Sequence, residues 1–446
     1  MRILLLAPYF FPYENPRAYR WTAIAQQWAQ QGWEVHVLCS KHKEWPAYQK
    51  WNGIHIHRAG FNAAKEWAYH HFPGTPHRGA QKPNPERKKT RLPLLRLNDW
   101  LLKSWYWPDD AWIWIAAARK KAQQLLNSGN WDALISTSPP FSAHWVAKKL
   151  KAQFPSLFWL ADFGDPFSLQ TTHPFNNLRL YQQKNKSAES AVLKSADHVV
   201  VTNSGLEEAY KKAFPGLKTS IQVIPPMASP QPNDQNTSIP DPEVLHLGYF
   251  GSFFRNIREP GPLLRFLEKN LGNDQRWHLY NKRWHLQSKR WHLDTQSPQK
   301  RWHLHLYGSI FEEFWPVFDR FPNLRCHLFF HDTLPRSEVI SRMQQMDVLV
   351  MLGNTTSFQL PSKWADYLVA GKPVLHLMQT PRDPALSMVE EEGQVLSVPI
   401  SEIDERLFSF LERSKKWESS EAQTNKWEKR FSGPGIAAKY AALLAT

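Results

Sequence analysis

The chain is poor in cysteine and has no long apolar run. Cys39 and Cys326 are its only cysteines in 446 residues, and two thiols so far apart cannot build a disulfide framework, which fits a reducing compartment. No window approaches the roughly 20 apolar residues that a membrane-spanning helix needs. The opening MRILLLAPYFFP is followed by Glu14 and not by a small-residue cleavage site, so we predict a buried strand there and a cytoplasmic protein.

Acidic residues are fewer than basic ones, and the excess is local. The formal net charge is +15. Residues 64–103 hold nine Lys and Arg against three Asp and Glu, and residues 276–303 hold seven against one. The rest of the chain is nearly neutral, so we expect no nucleic-acid partner. No Asp-x-Asp pair lies in a metal-binding context, and we expect no required metal ion and no cofactor.

Apolar runs alternate with amphipathic stretches, which is typical of a layered α/β fold. A Pro- and Asn-rich segment at 226–243 is typical of a linker. The pattern predicts two doubly wound, Rossmann-like domains, which bind ligands at the carboxyl ends of their strands. The predicted strands are 1–7, 34–39, 133–136, 158–161, 198–202, 221–224, 244–249, 304–307, 326–330, 348–351 and 373–376, and predicted helices include 18–31, 141–154 and 187–194. The predicted domains are 1–225 and 244–432, with a last helix at 433–446.

The segment LHLGYFGSFFRNIREPG carries phosphate-binding chemistry at the end of a predicted strand. Gly251 lets the backbone approach a ligand closely, and Ser252 follows it before a helix N-terminus. Arg255 and Arg258 offer guanidinium forks that suit phosphate oxygens. These residues predict a diphosphate site. An ordinary strand-to-helix turn with two solvated arginines explains the segment equally well.

A second segment, FQLPSKWADYLVAGKPVL, begins a helix with a cation and a carboxylate. Lys363 and Asp366 lie three residues apart and therefore share one helix face. The pair is suited to hold a phosphate and a sugar hydroxyl. The alternative is a surface ion pair.

Five segments in this order resemble the glycosyltransferases of the GT-B fold, specifically the family 4 branch that builds bacterial surface polysaccharides. The resemblance covers nearly the whole chain except the two basic stretches. The segments are MRILLLAPYFFPYENPRAYRWTAIAQQWAQQGWEVHVLCS, DALISTSPPFSAHWVAKKL with LADFGDPFS, SADHVVVTNSGLEEAY, YFGSFFRNIR and QLPSKWADYLVAGKPVL.

The resemblance implies a retaining transfer of sugar from a nucleotide-sugar donor to a saccharide or lipid-linked acceptor. It also implies two Rossmann-like domains that face each other across a cleft, with a last helix that crosses back. The donor diphosphate would lie against Gly251 and Ser252, with Arg255 or Arg258 supplying positive charge. Lys363 would contact phosphate or sugar. Many family members carry two glutamates eight positions apart; Phe358 takes the earlier place here, and Asp366, the ribose-binding carboxylate, takes the later.

The acceptor side departs from the family more than the donor side. The histidine pair that often follows the central strand is replaced by a Ser-Thr-Ser-Pro-Pro run, in which Ser138 could face the reacting sugar. Asp162 and Asp165 are candidates to orient an acceptor hydroxyl or take its proton. Asp also caps helices and forms turns, so a structural role competes for at least one of them. His144 is predicted to be a structural or surface histidine and not a catalytic one.

The two basic stretches have separate interpretations. The excursion at 63–120 interleaves cations with Trp, Leu and Tyr, so it could contact the inner membrane surface and make the protein peripheral; packing on the N-terminal domain is the equal alternative. The segment 276–300 holds three RWHL copies, and a fourth, Arg301–Leu304, enters a predicted strand. We interpret the three as a surface insertion by tandem duplication.

Two other functions remain open on the sequence. A nucleotide-sugar epimerase shares the GT-B layout. A catalytically silent GT-B subunit could act as a partner in polysaccharide assembly, and the absence of the first family glutamate at Phe358 favours this alternative slightly. Transferase activity requires an acceptor, epimerase activity does not, and a silent subunit would bind donor weakly or not at all.

Overall fold

A computed structural model describes residues 1–60, 103–172, 174–231, 244–272, 301–389, 393–402 and 406–445. These residues form two compact units. The first unit holds the described residues up to 225 together with 433–445, and the second holds those from 226 to 432.

The first unit is built on an eight-stranded sheet in the order β3-β4-β2-β1-β5-β6-β7-β8. Every pairing is parallel except β3 with β4. Its strands are β1 Arg2–Leu6, β2 Glu34–Ser40, β3 Tyr48–Trp51, β4 Ile54–Ala59, β5 Ala133–Ser138, β6 Phe158–Phe163, β7 His198–Val201 and β8 Ser220–Val223. Among the described residues its first five helices are α1 Pro16–Gln30, α2 Trp114–Leu126, α3 Ser142–Gln153, α4 Leu178–Ser195 and α5 Ser204–Ala213.

Local sequence explains the first β-α-β cycle. Strand β1 is almost wholly apolar, as expected for a central parallel strand buried on both faces. Asn15 caps α1, because its side-chain oxygen accepts from the N–H of Ala18 at 2.8 Å, and Pro16 occupies the first helical turn where its missing N–H costs nothing. Gly32 follows the helix with φ +84°, a left-handed conformation that favours glycine.

The second unit is built on a six-stranded parallel sheet in the order β11-β10-β9-β12-β13-β14. Its strands are β9 Val244–Phe250, β10 Arg301–Tyr307, β11 Leu328–His331, β12 Val348–Leu352, β13 Val374–Met378 and β14 Val395–Pro399. Its α-helices among the described residues are α6 Pro260–Leu267, α7 Trp315–Phe318, α8 Val339–Gln344, α9 Trp364–Val369, α10 Leu386–Val389, α11 Arg406–Ser414 and α12 Glu421–Phe431. One π-helical turn, Glu268–Gly272, and the 3₁₀ turns Glu312–Phe314, Pro322–His327 and Arg336–Glu338 complete it.

The last helix, α13 Gly433–Leu444, belongs to the first unit. It packs on α1, where the indole N–H of Trp28 donates to the carbonyl of Ala437 at 3.2 Å and the ring of Trp21 lies 4.9 Å from that of Tyr440. The Arg20 guanidinium donates to the Tyr440 hydroxyl at 3.0 Å and to the carbonyl of Pro225 at 2.7 Å. This helix therefore completes the core of the N-terminal sheet.

The predicted strands agree with the observed ones to within a few residues. Three strands, β3, β4 and β14, are not predicted, and α4 begins at Leu178, nine residues before the predicted start. The fourth RWHL copy lies wholly inside β10, so this strand begins three residues before the predicted 304–307. Trp302 and Leu304 of this copy are buried in the core. The other three copies, in 276–300, lie outside the described residues.

The described part of the basic, aromatic excursion packs on the first unit. The indole N–H of Trp107 donates to the Asn185 side chain at 3.0 Å, and buried Asp109 accepts from the backbone N–H of Ser142 at 2.8 Å. Trp105 is 85% exposed and Trp112 is 45% exposed. Residues 63–102 of the excursion lie outside the described residues. No helix within the described part of the chain has the length and apolar character needed to cross a membrane.

Candidate functional site

The strand order of the second sheet reverses at β9. Strand β10 follows on one side of β9 and β12 lies on the other. In such sheets ligands bind outside the carboxyl ends of the strands, where the strand order reverses. The loops at 251–259 and 353–363 leave the sheet at this point. They carry the sequence-predicted donor residues.

The first loop begins with Gly251, which is in close contact with Gly308 at the end of β10. Gly251, with φ +156°, donates its backbone N–H to the carbonyl of Tyr307 at 2.9 Å. Gly308, with φ +133°, lies so near that a Cβ added to it would be 2.5 Å from the carbonyl oxygen of Gly251. Side chains at either position would be strained. Both strand ends therefore require glycine.

Arg258 and Arg255 have different environments. Arg258 is half-buried, and its guanidinium donates to the carbonyl of Ser252 at 3.2 Å. Its buried Nε has no hydrogen-bond partner among the described residues, and its Nη2 would lie 3.9 Å from a Cβ built on Gly251. Arg255 is exposed and forms an ion pair with Glu313. Arg258 is the arginine that faces Gly251.

The helix α9 brings the second predicted pair to the same edge. Tyr367 accepts the backbone N–H of Phe250 at 2.8 Å and donates to the carbonyl of Val350 at 3.1 Å, which ties α9 to β9 and β12. Burial raises the pKa of this phenol well above its usual value. Lys363 lies at the start of the helix, and its ammonium is 2.9 Å from a carboxylate oxygen of Asp366.

Asp366 has a structural partner that the sequence did not indicate. It is buried, and its second carboxylate oxygen accepts the backbone N–H of Ser229 at 2.6 Å. The carboxylate therefore anchors the segment that enters the second unit, in addition to its ion pair with Lys363. The ribose-binding role of Asp366 remains a prediction.

Three further residues at this edge were missed by sequence reasoning. The Gln379 side chain donates to the carbonyls of Gly353 at 2.6 Å and Ile257 at 3.1 Å, joining the two loops. His376 and Asp383, both fully buried, lie 3.3 Å apart beneath Gly353. The only sequence signal for the three is their position in or soon after the predicted strand 373–376. Phe358, in the place of the family glutamate, is half-buried.

The first sheet also reverses its strand order, between β1 and β5. Ser138, the last residue of β5, is buried, and its carbonyl accepts the N–H of Gly164 at 2.8 Å. Its hydroxyl has no hydrogen-bond partner among the described residues. This unpaired hydroxyl at the carboxyl edge is consistent with a ligand-facing role.

Asp162 lies in the core and has several partners. It forms an ion pair with Arg17, accepts the indole N–H of Trp21 at 3.0 Å and accepts the hydroxyl of Tyr440 at 2.7 Å. Its carboxylate joins α1, β6 and α13. These contacts are all within the first unit. The catalytic role of Asp162 remains a prediction.

His144 is structural in its contacts, as the sequence predicted. It is fully buried, and its Nδ1 is 2.7 Å from the hydroxyl of Ser136, which also accepts the indole N–H of Trp159 at 2.8 Å. Burial lowers the pKa of His144 to about 3, which keeps the ring neutral.

Asp165 lies half-buried in the loop after β6. The loop is held by Glu189 of α4, a buried residue that sequence reasoning missed. Its carboxylate accepts the backbone N–H groups of Phe167 at 2.6 Å and Ser168 at 2.8 Å, and the hydroxyl of Tyr210 at 2.7 Å. Burial raises the pKa of the Glu189 carboxyl, and these hydrogen bonds oppose the shift. Glu189 therefore positions the segment that carries Asp165.

The chain is similar in structure to several solved sugar-metabolising proteins. A sucrose-phosphate synthase from Thermosynechococcus elongatus is 13% identical, with a TM-score of 0.61 over 100% of this chain and 98% of that chain. The E. coli trehalose-6-phosphate protein bound with UDP-2-fluoro glucose is 10% identical, with a TM-score of 0.55 over 100% and 99%. An alpha,alpha-trehalose-phosphate synthase (UDP-forming) from Burkholderia xenovorans, in complex with glucose-6-phosphate, is 10% identical, with a TM-score of 0.55 over 100% of both chains.

The fold is GT-B. The predicted fold class is thereby confirmed, with two Rossmann-like parallel-sheet units and a C-terminal helix that returns to the first. A scan against protein-family models and a search of curated proteins return no match. At these identities the likeness shows the fold, and the function has to be argued from the residues.

Proposed function

We propose that the protein is a glycosyltransferase that moves a sugar from a nucleotide-sugar donor to a saccharide acceptor. The observation that carries the proposal is at the carboxyl end of the second sheet, where Arg258 lies beside Gly251 and the helix that follows Lys363 is hydrogen-bonded to β9 and β12. Similar folds that hold UDP-2-fluoro glucose and glucose-6-phosphate support it. The finer proposal is a family 4-like enzyme of bacterial surface polysaccharide synthesis, with a retaining mechanism and a lipid-linked acceptor.

The donor diphosphate would bind against Gly251 and Ser252. Cleavage of the donor leaves negative charge on the phosphates, and preorganised backbone N–H groups and cations stabilise such charge. Arg258 is the arginine assigned to this charge, because it lies beside Gly251, whereas Arg255 is exposed and paired with Glu313. Lys363, which is paired with Asp366, is the second cation of the proposal. In this proposal these groups stabilise the phosphate charge, and transfer requires no metal ion.

The acceptor would bind to the first unit. Of the two aspartates, Asp165 is the better candidate to orient an acceptor hydroxyl, since Asp162 is buried and bonded to three side chains. Ser138, with its unpaired hydroxyl, is the second candidate contact.

A peripheral membrane location on the inner face is part of the proposal. The exposed indoles of Trp105 and Trp112 are suited to the headgroup region of a bilayer, where aromatic rings and nearby cations bind favourably. A lipid-linked acceptor would then be presented at the same surface. Sedimentation with anionic vesicles checks this: the parent should pellet, and a Trp105→Ala/Trp112→Ala variant should remain in the supernatant.

Nucleotide binding tests the donor site. Calorimetry of the full chain with UDP, GDP and ADP should detect binding of at least one of them. Arg258→Ala and Lys363→Ala should each weaken it roughly tenfold or more, because a hydrogen bond to a charged group is worth about 1.5–3 kcal/mol. Arg255→Ala is the matched control and should bind like the parent. A parent protein that binds none of the three nucleotides contradicts the proposal.

Product analysis separates the transferase from its alternatives. Mass spectrometry of reactions with a panel of donors should show a glycosylated product only when extracted lipid acceptor is added. Interconversion of donor sugars without acceptor would identify an epimerase. A silent partner subunit, which Phe358 in the glutamate position favours, would give neither product.

A further inference from the structure

A cluster of histidines on the second sheet lies away from the loops that form the candidate donor site. His246 lies on β9, and His303 and His305 lie on β10. His246 and His303 are register partners on the two parallel strands, and side chains two residues apart on a strand share a face. One nitrogen from each of the three rings lies within 4.8 Å of the other two.

We propose that His246, His303 and His305 form a binding site for a divalent transition metal, with zinc as the reference ion. Imidazole nitrogens suit zinc, copper, nickel and cobalt, whereas magnesium and calcium prefer oxygen ligands. A three-histidine set leaves one coordination position for a water or another ligand.

The distances are close to those of a coordinated set. Zinc–nitrogen bonds of about 2.0–2.1 Å put two nitrogens of a tetrahedral site roughly 3.4 Å apart. The Nδ1 of His246 and the Nε2 of His305 are 3.0 Å apart. Metal binding therefore requires these two nitrogens to move apart by a few tenths of an ångström. It also requires the His303 ring to rotate towards them.

His331 on the neighbouring strand orients His305. Its Nδ1 is 3.0 Å from the Nε2 of His331 on β11, so that the Nδ1–H can donate to His331 while Nε2 faces the cluster. A metal-bound histidine usually makes such a bond with its other nitrogen. The ring of Tyr307 stacks on His331 at 4.2 Å, and that of Phe329 packs on His303 at 4.6 Å. His303 and His331 are thus both packed against aromatic rings.

The charges around the cluster oppose a cation. Arg342 of α8 acts electrostatically on both His305 and His331, and its guanidinium donates to the Gln345 side chain at 2.7 Å. Asp332 acts on His331 with the opposite sign. Removal of the Arg342 charge should consequently tighten metal binding, whereas a cluster with no affinity for metal would show no such response.

The cluster is separate from the proposed sugar chemistry. His246 precedes Gly251 by five residues, about 16 Å along an extended strand. A metal here would join β9 to β10 and stabilise the second unit. It would not act on the donor, and the expectation that transfer needs no metal is unaffected.

Metal titration of the full chain tests the site. After treatment with a chelator, the parent should bind one tight equivalent of Zn²⁺ by calorimetry and give visible Co²⁺ absorption typical of tetrahedral nitrogen ligands. His303→Gln and His305→Gln should lose that equivalent. His331→Gln should weaken it about 10–100-fold, the usual cost of losing an outer-shell partner. Arg342→Gln should bind more tightly than the parent.

Two controls isolate the cluster from the other histidines. In the first unit, His36 and His57 are also 3.0 Å apart, but their rings do not form a three-ligand group among the described residues; His57→Gln should bind zinc like the parent. The repeat copies carry His278, His285 and His292 outside the described residues, and replacing all three with Gln should leave the tight equivalent intact.

Three results of these titrations would overturn the proposed metal site. A parent without a tight zinc equivalent overturns the proposal, even if the ligand variants fail to fold. Binding that survives in His305→Gln, or that disappears when the repeat histidines are replaced, also overturns it. Nucleoside-diphosphate affinity should be the same with and without zinc, so this result is independent of the test of the proposed transferase.

Discussion

At the scale of single residues, hydrogen-bond pairing distinguishes structural carboxylates from candidate ligand-binding groups. Asp162 and Asp366 both lie in the resembling segments, yet the described contacts join each of them to other parts of its own unit. Arg258 and Ser138 instead present a buried polar atom that has no partner among the described residues. Unpaired polar groups are costly in a core, which makes them the better candidates for ligand contact.

The buried Asp162 ion pair predicts a large effect on stability. Asp162→Asn leaves the Arg17 guanidinium without its carboxylate, and loss of one partner of a buried pair costs about 3–5 kcal/mol. Urea unfolding of the full chain should show this loss. Asp165→Asn is the control, because Asp165 is only half-buried, and it should retain stability while it lowers transfer to the acceptor. Parent-like stability of Asp162→Asn with lost activity would instead support a catalytic Asp162.

The neutral ring of His144 predicts a pH-dependent stability. Its pKa is about 3 in the fold because of burial, with Asp162 raising and Arg17 lowering it, against about 6.5 in an unfolded chain. The unfolded state therefore binds a proton first as the pH falls, and stability is lost below pH 6.5. Between pH 7 and pH 5 this histidine should contribute a loss of about 2 kcal/mol.

Comparison with His144→Gln measures that contribution. The amide can retain the hydrogen bond to Ser136 and does not titrate. The variant should be less stable than the parent at pH 7, and the difference should shrink or reverse by pH 5. Parallel curves for parent and variant in urea unfolding would show that His144 is not the titrating group.

At the scale of elements, the ends of β9 and β10 depend on close backbone contact. Gly308→Ala would put a Cβ 2.5 Å from the Gly251 carbonyl oxygen, at a φ of +133° that side chains rarely adopt. Strain of this kind costs about 1–3 kcal/mol and would move the loop at 251–259. We expect weaker nucleoside-diphosphate binding by calorimetry. Gly393→Ala, at a position with open space, is the matched control; equal binding by both variants would exclude a role for this contact.

At the scale of the whole molecule, the RWHL repeats are expected to be dispensable for the fold. The second sheet uses only the fourth copy, inside β10. Deletion of residues 276–296 should leave the thermal unfolding midpoint within a few degrees, because a change of about 1 kcal/mol shifts large domains by about 2–4 °C. Nucleoside-diphosphate binding should also be retained. Loss of either property would mean that the repeats have become part of the structure.

The sequence alone was sufficient to predict the two α/β series and their order. Runs such as RILLL and VLVML are local signals, since a strand buried on both faces must be apolar along its length. Gly251, Arg258 and Lys363 were predicted as donor-site residues because they lie in the loops that follow two of these strands. The strand β3 Tyr48–Trp51 is short and largely polar, and β14 Val395–Pro399 is short and only partly buried, so both carry weaker patterns and were missed.

Only the tertiary structure decided which polar groups meet. The partner of Asp162 is Tyr440, 278 residues away, and that of Asp366 is Ser229, 137 residues away. His246 and His305 come from neighbouring strands separated by 59 residues of chain. Such pairs have no periodic signal, because their contact depends on strand order and register and not on local spacing. The sequence thus determined the elements and the glycine-rich edge, and the packed fold determined which charges are structural and which histidines come together.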